Sequence, residues 1–431
     1  MNISMLALRL REKISKFSGV ISSGLGKVAG RFIGDLIYGI QASQSVVLSD
    51  AGRVLEEVIS LKKTEERLSR NLIRDGLEDV INHNVATLGA SHIKDETLLV
   101  IDIGDLSKKY AKKMEYMAKV WNGSEGKVTD GYFMLHVIGT ELDSNDIVPL
   151  YQRLFSQNAP GFDSENEEII GAMGSISEHV KKRGIWVMDR GGDRIKLFRW
   201  ILDHSLRFLF RIDGDRHLIA GNQKLYALDI ANKCRCPYAK TIIRLENGKE
   251  KQYDITFGFR KVKLPARKEQ LYLLVVKGFG IKPLMILSNV PLRNSYKMLE
   301  RMMESYFRRW SIEETIRYIK TIYKLENVRI LRYKALQNLM SIMLAATYFT
   351  AVELHIGEKL KIIVGHIYKA AKRIFGIPSF KCYAVADGMK TIFSRHPGNP
   401  RLPLRRSKEV QLLLFPIGLG ACRNTHSAII L

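Results

Sequence analysis

The sequence predicts an α/β protein in which a mostly β block separates two α/β segments, with helical regions at both ends. Three observations lead to this prediction. The apolar runs LLVID and GIWVMD each end in a carboxylate, as buried strands that reach a functional edge do. Residues 215–290 contain a series of strand-like runs and an Asn-Gly hairpin signal at 247–248. Residues 1–95 and 295–375 have helical patterns.

Composition indicates a folded protein that binds a polyanion. The chain has 431 residues, of which 46% are hydrophobic and 26% charged, and this excludes disordered and collagen-like chains. The formal net charge of +24 favours nucleic acid as the partner, with acidic lipid surfaces as the competing interpretation. The four cysteines, two of them in the C-x-C of Cys234 and Cys236, predict neither a zinc site nor a disulfide framework.

Two segments bear on membranes and targeting. The first charge, Arg9, comes too early for the apolar core of a signal peptide. Residues 335–352 carry no charge but include polar residues such as Gln337 and Asn338, so we expect a buried core helix rather than a membrane span. We therefore expect a cytoplasmic protein that does not interact with membranes.

Three carboxylates are candidates for metal-dependent chemistry on phosphodiesters. Two-metal phosphoryl transfer needs several carboxylates that converge on a pair of cations, and Mg²⁺ prefers oxygen ligands. Asp102 ends the run LLVID, Asp189 ends WVMD, and Glu313 lies in a helical pattern. Strands that end in aspartate are common in α/β proteins, so these acids alone are only suggestive.

The segment YFRRWSIEETIRYIKTIYKL predicts one helix that begins near Tyr306. With residues placed about 100° apart, Tyr306, Arg309, Glu313 and Lys320 fall within an arc of about 60°, beside an apolar stripe. An acid flanked by two cations and a phenol suits a phosphate backbone next to a metal ligand. The alternative is an ordinary amphipathic helix with charge pairs on its solvated face.

These residues carry a resemblance to a known family. The pattern Y-x₂-R-x₃-E-x₆-K, with Trp310 in place, resembles the signature of bacterial insertion-sequence DDE transposases of the "insertion sequence four" superfamily. VMDRGGDR resembles the second-aspartate block of that group, and the segment from VIDIGD resembles its first-aspartate region. The resemblance covers roughly residues 95–350. It implies a ribonuclease-H-like catalytic core interrupted by a β-rich insertion, which accounts for the β block.

The resemblance and the patterns together divide the chain into segments. They are a helical N-terminal region with possible DNA binding (1–95), the first part of the ribonuclease-H-like core (96–213), the β-rich insertion (214–292), the catalytic helix with C-terminal helices (293–395), and a basic linker and tail (396–431).

The resemblance also implies a mechanism and partners. Asp102, Asp189 and Glu313 would hold two Mg²⁺ or Mn²⁺ ions for cleavage at transposon ends and strand transfer into target DNA. The partners would be double-stranded DNA, as terminal inverted repeats and target, and a second copy of the chain in a homodimer. The protein would act in the bacterial cytoplasm, at the nucleoid. The residues that we expect to contact DNA are Tyr306, Arg309, Lys320, Lys108, Lys112 and Trp310, the last by stacking on a flipped base unless it is a core tryptophan.

Two other functions stay open at this point. One is another ribonuclease-H-like nuclease or resolvase that uses the same acids, and the other is a non-catalytic DNA-binding relic of a transposase. For all catalytic interpretations we expect the three carboxylates within about 4–8 Å of one another, as shared metal ligation requires. Their mutual repulsion should raise at least one pKa.

Overall fold

The computed structural model describes residues 3–123, 125–246, 249–354, 361–374, 376–398 and 400, and it describes side chains for these residues except 244–246, 249, 361 and 362. The Asn-Gly signal at 247–248 and most of the tail expected at 396–431 lie outside the described residues. The structure is a mixed α/β protein with one large sheet and helices at both ends.

The N-terminal region is helical, as its pattern predicts. Its helices are α1 (Ile3–Ile21), α2 (Gly26–Ser43), α3 (Leu48–Val54), α4 (Leu61–Leu72) and α5 (Leu77–Ala90). The apolar faces of these helices are buried, among them Leu10 and Ile14 of α1. An ion pair joins α2 to α4. Asp35 is fully buried, and its Oδ2 accepts a hydrogen bond from Arg67 Nη1 at 3.0 Å.

The central sheet begins with β1 (Leu98–Ser107), β2 (Ala118–Asn122), β3 (Lys127–Thr140) and β4 (Ile147–Phe155). β3 runs antiparallel to β1, and β4 and β2 run antiparallel to β3. After α6 (Glu165–His179) comes β5 (Ile185–Met188), which is parallel to β1. After α7 (Ile195–Asp203) comes β6 (Arg207–Arg211), which is parallel to β5. The central strands are buried on both faces, and Trp186 and Phe208 are among the largest fully buried side chains.

The β block extends this same sheet. It contains β7 (His217–Ala220), β8 (Gln223–Tyr226), α8 (Ala227–Asn232), β9 (Tyr238–Glu246), β10 (Lys249–Val262), β11 (Leu271–Lys277) and β12 (Leu284–Ser288). β9 to β12 form antiparallel neighbours, and β12 pairs with β6. β7 and β8 form a small separate hairpin. The block is therefore hydrogen-bonded to the strand that follows β5.

The remaining helices are α9 (Tyr296–Phe307), α10 (Trp310–Ile322), α11 (Tyr333–Tyr348), α12 (Lys361–Ala371) and α13 (Cys382–Arg395). The segment Tyr333–Glu353 is long and apolar enough to cross a membrane by length and composition, but 94% of its apolar window is buried inside the protein. Its polar side chains have partners, since Asn338 Nδ2 donates to Leu72 O at 2.6 Å. The prediction of a buried core helix at 335–352 is confirmed.

Candidate active site

Asp102 and Asp189 lie at the same level on neighbouring parallel strands. The register pairs Leu98 with Ile185 and Val100 with Val187. Extended by two residues, the same register sets Asp102 beside Asp189. Residues level with each other in parallel strands have side chains on the same side of the sheet. The two acids therefore meet at the carboxyl ends of β1 and β5, where open α/β sheets carry their sites.

The segment DRGGD turns sharply after β5. Asp189 Oδ1 accepts a hydrogen bond from Gly191 N at 2.7 Å and caps a single 3₁₀ turn. A Cβ at Gly191 would lie 3.0 Å from this same oxygen, which is closer than nearly all real Cβ contacts. Glycine at position 191 thus allows the backbone to hold the Asp189 carboxylate at the strand end.

The helix α10 crosses β1 next to Asp102. Gly104 lies two residues after Asp102, and a Cβ built on it would touch the Ile316 side chain at 3.6 Å. Glu313 is one helical turn before Ile316, so α10 brings the third acid to the same end of the sheet. The predicted single helix from Tyr306 is wrong, because the chain breaks between α9 and α10 at Arg308 and Arg309. Backbone bonds there span three residues, as in Arg309 N to Tyr306 O at 3.1 Å, so the turn is tightened and redirected.

Electrostatics couple the three acids. Burial, followed by repulsion from Asp189 and then Glu313, raises the pKa of Asp102 to about 7, although Arg309 and a hydrogen bond from Ile103 N act in the opposite direction. The prediction that repulsion raises the pKa of at least one acid is confirmed, with burial as the larger cause. Asp102 Oδ1 accepts from Ile103 N at 2.9 Å, which fixes its orientation.

Glu313 forms an ion pair with Arg309 and does not share a metal-binding arrangement with Asp102 and Asp189. Its Oε1 lies 2.8 Å from Arg309 Nη1, and its side chain is 46% exposed. Among the residues that the structure describes, no group of three or more His, Cys, Asp or Glu side chains is placed to hold one metal ion. The expected close cage of Asp102, Asp189 and Glu313 is thus not formed in this arrangement. Like charges repel across the site, and the Arg309 guanidinium pulls Glu313 away.

Arg309 and Tyr306 are interior residues of the site. Both side chains are buried. Burial opposes the charged form of Arg309, but Tyr306, Glu313 and Asp102 together raise its pKa. Burial raises the pKa of Tyr306, while Arg309 and Arg211 lower it. Arg211, at the end of β6, was not predicted from the sequence. Because both side chains are buried, a DNA contact by Tyr306 or Arg309 would need an opening of the site.

Lys320 also has a carboxylate partner inside the protein. Its Nζ donates to Asp105 Oδ1 at 2.9 Å, and both side chains are mostly buried. Asp105 Oδ2 is buried without a hydrogen-bond partner. Asp105 therefore holds Lys320 against β1.

Lys108 occupies a different place from the one that the sequence predicts. It is only 5% exposed, and its Nζ donates to Glu326 O at 2.7 Å and to Val328 O at 2.6 Å. Burial lowers its pKa to about 8. An ammonium group committed to two carbonyls inside the protein cannot reach a phosphate, so the structure contradicts the expected DNA contact by Lys108. Lys112, in contrast, is exposed.

Two cavities lie on either side of the end of β2. The first, of about 420 Å³, is lined by Asp102, Asp189, Trp121 and neighbouring residues, and we call it the acidic cavity. The second, of about 690 Å³, is lined by Lys109, Lys112 and other residues, and we call it the basic groove. Glu165 and Arg194 also line the acidic cavity, and Lys113, Asn122 and Arg329 also line the basic groove.

The tryptophans differ from the expectations. Trp310 is 41% exposed and stacks on Phe307 with ring centroids 5.9 Å apart, so the alternative of a core tryptophan is wrong. Trp121 was not predicted as a site residue, yet it lines the acidic cavity. The signal that could have identified it is the strand-like alternation of AKVWN directly before a glycine turn.

Comparisons with known proteins found a family model and a solved structure that are similar to this chain. A family model described as the transposase DDE domain matches residues 161–349, a span that includes Asp189 and Glu313 but not β1. The match supports DNA transposition by a DDE transposase, an enzyme that acts on DNA. No curated protein matches the chain. Among solved structures, the chain is similar to a piggyBac transposase in a synaptic complex with hairpin DNA, with 12% identity, a TM-score of 0.45, and coverage of 91% of this chain and 81% of that one.

Proposed function

We propose that this chain is a cut-and-paste transposase of the "insertion sequence four" superfamily, which cleaves DNA at transposon ends and joins them to target DNA. The observation that carries the proposal is the level placement of Asp102 and Asp189 on parallel strands, next to which α10 packs on Gly104 through Ile316, one helical turn after Glu313. Two of these acids lie within the segment that matches the transposase DDE domain.

The strand order supports a ribonuclease-H-like core. β4, β3 and β1 form an antiparallel unit, and β5 and β6 continue it in parallel with β1. α6 and α7 form the connections before and after β5. We propose that this unit is the catalytic core and that β7 to β12 are the insertion between it and the catalytic helix. The proposed boundaries are 96–213 for the first part of the core and 214–292 for the insertion.

The donor set suits hard divalent cations. Asp102, Asp189 and Glu313 offer only carboxylate oxygens, the ligands that Mg²⁺ and Mn²⁺ prefer. Burial raises the pKa of Asp102, and the negative charges of Asp189 and Glu313 raise it further, so a bound cation would favour its ionised form. Two bound ions would lower the pKa of an attacking water and stabilise the leaving oxygen. For Glu313 to join the aspartates, its ion pair with Arg309 has to open. Arg309 would then be released toward the phosphate, where its planar fork is suited to bind.

The charge distribution supports DNA as the substrate. Lys112, Lys113 and Arg329 line the basic groove beside the acids, and they form no ion pair with any described residue. Unpaired cations next to a metal site attract phosphates without reading sequence. We propose that the substrate duplex lies along this groove. We also propose that two copies of the chain bring two transposon ends together, and that the protein acts at the nucleoid in the bacterial cytoplasm.

Metal-dependent nicking tests the function. The substrate is a duplex that carries the inverted repeats flanking the coding sequence, incubated with Mg²⁺ or Mn²⁺. We expect the wild-type protein to nick the duplex and Glu313→Gln to lose about 10²–10³-fold in rate while still binding it. Glu314→Gln is the matched control, because Glu314 is the next residue and pairs with Arg317 at 2.7 Å, away from the aspartates.

The outcomes separate the alternatives. Cleavage of branched DNA without preference for the repeats would indicate a resolvase or another nuclease. Binding to the repeats without any metal-dependent cleavage by the wild-type protein would indicate a non-catalytic relic. Equal loss of activity in Glu313→Gln and Glu314→Gln would remove the special role of Glu313.

A further inference from the structure

Trp121 is an exposed aromatic residue at the rim of the acidic cavity. In β2 the side chains alternate, with Val120 and Asn122 buried and Trp121 61% exposed. Its ring therefore points away from the core, into the cavity wall that it shares with Asp102 and Asp189. More than half of the Trp121 side chain is open to solvent beside the cavity, so a face of its ring is accessible to a ligand.

The position of Trp121 lies between two regions of opposite charge. The acidic cavity contains Asp102 and Asp189, whereas the next residue along the strand, Asn122, already lines the basic groove with Lys112. Consider a DNA strand whose scissile phosphate lies at Asp102 and Asp189 and whose backbone continues along the basic groove. This DNA strand has to cross the end of β2 at the Trp121 ring. The base next to the scissile phosphate then meets the indole.

A protein interface explains this ring less well. The exposed apolar patch consists of Trp121 and its cross-strand neighbour Val128. A charged pair, Lys119 and Asp130 at 2.7 Å, flanks it. Two apolar side chains beside an ion pair are far smaller than the patches that stable protein partners bury.

We infer that Trp121 is a stacking platform for an unpaired base next to the scissile phosphate, an inference that rests on the proposed function. Within a duplex each base is covered on both faces by its neighbours, so a base reaches a protein ring only when it is unstacked or lies at a frayed end. Stacking tolerates any base, because every base has a π-face. Trp121 is thus a positioning residue for the DNA end, and the acids carry the chemistry.

The test compares two short DNA probes of arbitrary sequence in buffer with Ca²⁺, one a blunt duplex and one with unpaired nucleotides at its end that include 2-aminopurine. We expect the wild-type protein to bind the frayed probe more tightly than the blunt one and to quench the 2-aminopurine fluorescence. Trp121→Ala should weaken binding of the frayed probe about 5- to 150-fold, restore the fluorescence and leave blunt binding unchanged. Trp121→Phe should keep most of the preference.

Tyr226→Ala is the matched control, because Tyr226 is an exposed aromatic residue on the separate hairpin β7–β8 and should leave both affinities unchanged. Circular dichroism checks that each variant is folded. Retention of the frayed-end preference and of quenching in Trp121→Ala would overturn the inference while the proposed function stands. A change of sedimenting mass in Trp121→Ala, with unchanged DNA binding, would show a protein interface instead. Failure of the wild-type protein to bind either probe would overturn the inference, whereas the proposed function is decided separately by nicking of the inverted repeats.

Discussion

Replacing Asp102 by asparagine should stabilise the protein above neutral pH, even though it should abolish catalysis. Asparagine has nearly the same shape and can still accept the hydrogen bond from Ile103 N, so the substitution removes mainly the charge. The cause is that burial and the neighbouring acids hold the pKa of this carboxyl at about 7 instead of 3.8. Functional sites commonly cost stability in this way.

The sign and size follow from proton linkage. The folded-state pKa is raised, so between about pH 4 and pH 7 the folded wild-type protein holds a proton that the unfolded chain has lost, and its stability falls as pH rises through this window. A shift of about three pKa units corresponds to about 4 kcal/mol at pH 8, and to about 2 kcal/mol at pH 5. Because the site is partly open to water, these values are upper bounds. The advantage of Asp102→Asn should therefore grow with pH.

Thermal unfolding at pH 5 and pH 8 measures this, with Asp95→Asn as a control because the Asp95 side chain is 75% exposed. We expect a higher melting temperature for Asp102→Asn that increases toward pH 8, and no such trend for Asp95→Asn. Mg²⁺ should raise the melting temperature of the wild-type protein and have little effect on Asp102→Asn, because a ligand stabilises only the state that binds it. An advantage that is absent at pH 8, or equal at both pH values, would show that the folded protein does not raise the pKa of Asp102.

Two further predictions concern the lysines. Lys320→Met should destabilise the protein by about 3–5 kcal/mol, because it leaves the Asp105 carboxylate buried without its cation, and adding Asp105→Asn should recover most of the loss in the same melting experiment. No recovery in the double variant would show that the ion pair is not the cause. Lys112→Ala should reduce the slope of log affinity for DNA against log salt concentration by about 0.9, whereas Lys108→Met should change thermal stability and leave the slope unaltered, as measured by fluorescence anisotropy. A reduced slope in Lys108→Met would contradict the buried position of its ammonium group.

The sequence predicts the strand ends at which Asp102 and Asp189 lie, because these signals are local. Asp102 and Asp189 directly follow apolar runs, and such runs form buried strands of one sheet in most α/β proteins. The central helix at 335–352 was predictable for the same reason, since its polar residues are too many for a lipid-facing helix. The predicted strands LLVID and GIWVMD correspond to β1 and β5.

Other features depend on contacts that no local pattern encodes. The lysines after β1 look alike in the sequence, and Lys108 is buried only because a turn more than 200 residues later supplies the carbonyls of Glu326 and Val328. The helical pattern continues through Arg308 and Arg309, whose dihedral angles remain in the right-handed region, so the break between α9 and α10 leaves no trace in the periodicity. The ion pair of Glu313 with Arg309, four residues earlier, is in contrast a local charge pair of the kind that the amphipathic-helix alternative describes.

The pairing of β12 with β6 makes the β block inseparable from the rest of the enzyme. Neighbouring strands are about 4.8 Å apart, so β12 lies roughly 10 Å from the strand that ends at Asp189, at a distance set by backbone hydrogen bonds. Any ligand that binds to the block is consequently held at a constant distance from the reaction centre. Deleting the block would also expose the edge of β6 that pairs with β12. The shortened protein would be prone to aggregate through this open edge.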